Sequence, residues 1–130
     1  MDMSLNISHN KSLSAITLAF MGDCVYEIYA RKYVIDSFGS LPANVLHKKV
    51  VDIVSAKAQA EHFKNIEDIL TEEENEIYKR GRNTVLSSHP KNTDIATYHI
   101  ATGVESLFGF LYLENRLDRI KELFEKMWSE

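Results

Sequence analysis

The chain has 130 residues, a formal net charge of −4, and 45% hydrophobic against 26% charged residues. These values suit one globular domain with a sizeable core and exclude a generic polyanion binder, though a basic patch on an acidic body stays open. The lone Cys24 excludes an internal disulfide, so a reducing cytoplasm is the simplest setting.

Helical periodicity is abundant and sustained period-two alternation is missing, so the expected fold is all-α, a helical bundle in a single domain spanning 1–130. Residues 1–11 lack the basic and apolar regions of a signal peptide. No apolar run approaches the roughly 20 residues of a membrane-spanning helix. The first helix is expected from about Ser14 to about Val34; being apolar on most sides, it reads as the central helix. Asp36-Ser37-Phe38-Gly39-Ser40 reads as a turn. Leu41-Pro42-Ala43 opens a second helix, with Pro42 tolerated in its first turn and Val45, Leu46, Val50, Ile53 and Val54 at helical spacing. Thr71 followed by Glu74 has the form of a capping box, which starts a helix running to about Arg80. Gly81 to Asn92 reads as a polar loop. Thr93 or Asp94 caps the next helix, which ends near Leu113, and a final amphipathic helix runs from Leu117 to Trp128.

Two acids stand inside apolar helical runs: Asp23 within Leu18-Ala19-Phe20-Met21-Gly22-Asp23-Cys24-Val25-Tyr26, and Glu105 within Ile100 to Phe108. Both are expected to be buried, at a cost of several kcal/mol unless paired, protonated or bound to a cation. Asp23 shares a helix face with Ala19, Phe20 and Glu27; Glu105 shares one with Ala101, Thr102, Phe108 and Gly109. Small neighbours leave room for a metal, a water or a substrate, or for close helix packing. Either each acid caps a helix or pairs with a cation of its own, or the two share one divalent cation held by oxygen ligands. Glu27, one turn beyond Asp23, is placed to support the site or to pair with Arg31.

Three basic clusters can meet phosphates: His47-Lys48-Lys49, Lys79-Arg80-Gly81-Arg82-Asn83 and His89-Pro90-Lys91-Asn92. Lys48 and Lys49 also read as a solvated face, and the cations from Lys79 on also compensate a helix dipole. Cys24 reads as a packed small hydrophobe rather than a nucleophile. The histidines lack zinc spacing, and no glycine-rich phosphate loop is present. Tyr26, Tyr29, Tyr33, Tyr98 and Tyr112 read as core and interface residues. Ile16, Leu18, Met21 and Val25 offer surplus apolar surface for self-association.

Phe20-Met21-Gly22-Asp23-Cys24-Val25 resembles the signature helix of the ribonuclease III family, usually Glu-Phe-Leu-Gly-Asp, then a small residue and Val. Ala101-Thr102-Gly103-Val104-Glu105-Ser106-Leu107-Phe108-Gly109 resembles its second catalytic segment, Ala-Asp-x-x-Glu-Ala-x-x-Gly. The likeness covers about residues 14–115. Two family acids are replaced, by Ala19 and Thr102, and no double-stranded-RNA-binding domain is expected. Those departures, with Tyr26, the stretch from Lys79 to Asn83 and Ala101-Thr102-Gly103, are similar to the compact Mini-ribonuclease III branch.

The resemblance implies a ribonuclease III-type catalytic domain acting as a homodimer on double-stranded RNA, with Mg²⁺ held by Asp23 and Glu105 as catalytic and metal residues. Glu27 is a possible supporting residue. Arg82, Arg80, Lys79, Asn83, Lys48, His89 and Lys91 are the candidate RNA contacts. It further implies maturation of precursor 23S ribosomal RNA ends, with a large-subunit ribosomal protein as a possible partner. The loss of acids at Ala19 and Thr102 keeps an alternative open: a non-catalytic RNA-binding scaffold of the same fold.

Overall fold

The computed structural model describes residues 7–84 and 94–129, with side chains from His9 onward. Among them are α1 (Ile7–Ser12), α2 (Ala15–Phe38), α3 (Ala43–Val54), α4 (Ala56–Phe63), a 3-10 turn (Glu67–Ile69), α5 (Glu72–Arg82), α6 (Ile95–Leu113) and α7 (Leu117–Trp128). No strand occurs in the described residues, and none of their helices is long and apolar enough to cross a membrane.

Local chemistry sets the helix ends. The Ser14 hydroxyl accepts the Thr17 N–H at 3.1 Å and starts α2. The helix runs one turn past the expected end near Val34. Lys32 meets Asp36 at 2.6 Å across one turn, and the chain leaves the helix only at Gly39, whose φ of 68° few side chains tolerate. Thr71 and Glu74 form the capping box in full: the Glu74 N–H reaches Thr71 Oγ1 at 3.1 Å, and the Thr71 N–H reaches Glu74 Oε1 at 2.9 Å. Asp94 caps α6 by accepting the Ala96 N–H at 3.1 Å. At the far end Asn115 takes a left-handed φ of 58°, and the Arg116 N–H closes on the Leu111 carbonyl at 2.9 Å.

The second expected helix is in fact two. Ser55 adopts extended backbone, ends α3, and caps α4 by accepting the Ala58 N–H at 3.2 Å. The apolar spacing continues through Ser55, so the pattern gave no sign of this break.

The centre of the bundle is α6, not α2 as its composition suggested. α6 packs against α1, α2, α4, α5 and α7, and Val104, Leu107, Phe108, Phe110 and Leu111 are fully buried. Two glycine crossings clamp it. A Cβ on Gly22 of α2 would lie 1.6 Å from the Glu105 carbonyl oxygen, and one on Gly109 would lie 1.9 Å from the Leu18 carbonyl oxygen. On the opposite side, a Cβ on Gly81 of α5 would lie 2.9 Å from Gly103 Cα. The small residues beside the acids therefore serve close helix packing.

Behind the crossing, the Tyr26 ring meets Phe108 and Phe124 edge-on, each at 5.3 Å between centroids, and its hydroxyl accepts the Trp128 indole N–H at 3.0 Å. The Trp128 ring stacks on His62 at 3.6 Å. Arg119 of α7 grips buried Glu74 of α5 with two hydrogen bonds, at 2.8 and 2.9 Å. Burial alone would raise the Glu74 carboxyl, but Arg119 and the Thr71 N–H together hold it below the usual carboxylate range.

Candidate active site

The α2–α6 crossing places the two acids together. Gly22 seats its helix on the Glu105 backbone, so Asp23, the next residue, comes beside the Glu105 side chain. Glu105 is half-buried and its carboxyl is pushed up to about 7. Burial is the main cause and the negative charge of Asp23 the next; a hydrogen bond from Gln59 opposes them. Asp23 itself is exposed, contrary to the expectation of a buried acid. The apolar residues around it divide between two faces: Leu18, Val25 and Tyr26 point into the core, while Phe20 and Ile28 point outward with Asp23 on their side. Cys24 lies on that outer side too and is exposed, not packed as expected.

Neither acid forms an ion pair with Lys or Arg among the described residues. Glu27, by contrast, pairs with Arg31 at 3.0 Å. Ala19 is buried and its side chain carries no oxygen, and the buried Thr102 hydroxyl donates to the Tyr98 carbonyl at 3.0 Å. Gln59 of α4 is the contact that sequence reasoning missed. Its Nε2 approaches Glu105 Oε2 at 3.4 Å, and its Oε1 is buried with no hydrogen-bond partner. The only signal for it was a polar residue one helical turn beyond the Ser55 cap.

The described residues hold no group of three or more His, Cys, Asp or Glu able to cage a metal. The donors that meet at the crossing are the oxygens of two carboxylates, with the Gln59 amide against Glu105. That set fits Mg²⁺, which is held through one or two carboxylates and keeps several waters, rather than a metal that needs a full protein cage.

The basic residues separate into different roles. Arg80 donates to the Lys11 carbonyl at 2.9 Å and the Leu13 carbonyl at 2.6 Å, fixing the α1–α2 link. Arg82 lies 5.7 Å from the centre of the Tyr78 ring and donates to Asn83 Oδ1 at 3.1 Å. Lys79, Asn83 and Lys48 are exposed. His89 and Lys91 lie outside the described residues.

An enclosed central helix is crossed at glycine by a second helix, and one acid from each meets at the crossing of this all-helical domain. The Ribonuclease III domain model matches residues 16–116. A Mini-ribonuclease 3 of Thermoanaerobacter sp. (strain X514) is 46% identical over 114 residues, covering 88% of this chain and 80% of the relative. Mini-ribonuclease 3 of Staphylococcus aureus is 41% identical over 122 residues, covering 92% and 90%. A crystal structure of a Fusobacterium nucleatum protein superposes with a TM-score of 0.80 at 33% identity, covering 88% of this chain and 91% of that one. The chain is a ribonuclease that belongs to the ribonuclease III family, in its Mini-ribonuclease 3 branch.

Proposed function

We propose that this domain is a Mg²⁺-dependent endoribonuclease that hydrolyses phosphodiesters in double-stranded RNA, works as a homodimer in the cytoplasm, and matures the ends of precursor 23S ribosomal RNA. The observation that carries the chemistry is the meeting of Asp23 and Glu105 at the α2–α6 crossing, with the Gln59 amide against Glu105. Family membership supports cleavage of duplex RNA. A large-subunit ribosomal protein that presents the RNA belongs to the same proposal.

Asp23 and Glu105 would hold the cation, which when bound would polarise the scissile phosphate and lower the pKa of the attacking water. Glu105 gives the inner side of the site a fixed carboxylate, since Gly22 and Gly109 leave its helix no room to shift. Asp23 is the solvent-facing ligand, reached by a phosphate without opening the core. Glu105 retains its proton to about pH 7, so a cation held there would have to displace that proton and would favour the ionised form.

Duplex RNA is read by shape, through phosphates and 2′-hydroxyls. Arg82, Lys79, Asn83 and Lys48 are the contacts proposed among the described residues, with His89 and Lys91 beyond them; Arg80 serves mainly by placing the α1–α2 link. The homodimer rests on the outer face of α2, where Ile16, Phe20, Ile28 and Ile35 are exposed, Phe20 at 80%. Leu18 and Val25, expected to contribute, are spent in the monomer core.

Cleavage of a labelled long RNA duplex by the parent and Asp23→Asn proteins, with Mg²⁺ or with EDTA, tests this reading. Staggered products are expected from the parent with Mg²⁺ alone. Parent-rate cleavage by Asp23→Asn, or by the parent in EDTA, would overturn it.

A further inference from the structure

We propose that Gln59 is a positioning residue for Glu105 and lends its amide oxygen to the shell of the cation held at the acid pair. This rests on the reading of that pair as a cation site. Gln59 is 2% exposed on α4. Its Nε2 donates to the Val54 carbonyl at 2.9 Å and to Glu105 Oε2 at 3.4 Å. Two acceptors on one nitrogen settle the orientation of the amide. Turned over, Oε1 would face a carbonyl and a carboxylate oxygen, which is repulsive.

The break at Ser55 explains how the side chain comes to be there. In a continuous helix the Ala58 N–H would close on Val54. Here it goes to Ser55 Oγ, and the Val54 carbonyl is taken by Gln59. Capping Val54 uses one amide N–H. The second N–H is left for Glu105, where it steadies the carboxylate and orients its oxygens.

Capping does not account for Oε1, which is fully buried without a partner. An unpaired buried carbonyl is costly, and the contacts seen here need only the nitrogen. Both amide atoms sit on one carbon, so Oε1 lies within one bridging water of Glu105 Oε2. The Ala19 side chain offers no oxygen, and the Thr102 hydroxyl is engaged with Tyr98. Among the described residues Gln59 therefore offers the acid pair a neutral oxygen donor with no partner of its own, through a water of the cation's shell.

The test is Mn²⁺ binding, read by electron paramagnetic resonance, in the parent, Gln59→Leu and Gln59→Glu proteins, with thermal melting alongside. Gln59→Leu is expected to fold and to bind Mn²⁺ about tenfold more weakly. Its cleavage should need correspondingly more Mg²⁺ and should recover when Mg²⁺ is raised. Gln59→Glu restores an oxygen and should regain part of the affinity. A Gln59→Leu protein with a lowered melting point and parent Mn²⁺ affinity would reduce Gln59 to a cap on Val54 and overturn the proposal. A parent that binds no Mn²⁺ would overturn the acid-pair reading and this one together. Should Gln59→Leu fail to fold, Gln59→Met makes the same comparison.

Discussion

The two faces of α2 carry similar residues and meet opposite surroundings. The inner face sets Leu18, Gly22, Val25 and Tyr26 against α6, where a glycine Cβ would clash with backbone. The outer face shows Ile16, Phe20, Ile28 and Ile35 to solvent. Asp23 and Glu105 meet where the two faces join. Hydrophobicity along the helix therefore does not tell a face spent in the core from one left exposed.

The largest effect should come from the inner face. Gly22→Ala or Gly109→Ala forces a methyl into the opposing backbone, and the helices must part. A loss of about 3 kcal/mol is expected, seen as a fall in Tm of roughly 10 °C. A Tm within a degree or two of the parent would show that the crossing gives way easily. Phe20→Asp on the outer face should leave the helical circular dichroism intact. Light scattering should then find a monomer, and duplex cleavage should be lost. A dimer that survives would remove the outer face from the assembly.

The third prediction concerns the seam. The Glu105 carboxyl titrates at 4.5 in a reference chain and at about 7 in the fold. The folded state therefore holds this proton more tightly, and ionising the group costs stability. The cost is absent below about pH 4.5, grows through the interval, and is complete above about 7. In EDTA, Glu105→Gln should stabilise the protein by up to roughly 3 kcal/mol at pH 8 and by nothing at pH 4. Denaturant melts at the two pH values decide this, and equal gains at both would contradict it.

The smallest effects separate two neighbouring arginines. Arg82→Ala should weaken duplex binding, reduce the salt slope by about 1, and leave Tm unchanged. Arg80→Ala should instead cost roughly 1 kcal/mol of stability, because two carbonyls lose a charged donor. Filter binding across a salt series, with melting curves, tells them apart, and the reverse pattern would exchange their roles.

The features written in local chemistry were legible. Thr71 with Glu74, and Asp94, mark two helix starts as caps do, the start of α2 falls beside Ser14 as expected, and α7 shows its amphipathic period plainly. Asp23 and Glu105 were legible as a pair because an acid in an apolar helix needs a reason to be there. Its burial was misjudged at Asp23, because a sequence pattern cannot tell solvent from a partner surface. α4 went unseen, since a single Ser55 reverses the backbone without disturbing the apolar spacing. Gln59 followed it out of view: its reach to Glu105 on a distant helix is a tertiary fact.

The aromatic chain behind the crossing makes the molecule its own optical instrument. Trp128 is the single tryptophan. Its indole N–H is bonded to Tyr26, and the Tyr26 ring rests on Phe108, one helical turn from Glu105. A shift of α6 at Phe108 reaches that indole through one ring contact and one hydrogen bond, while the His62 imidazole stacks on the indole face. Tryptophan emission should therefore follow rearrangements near the acid pair in unlabelled protein, and in real time.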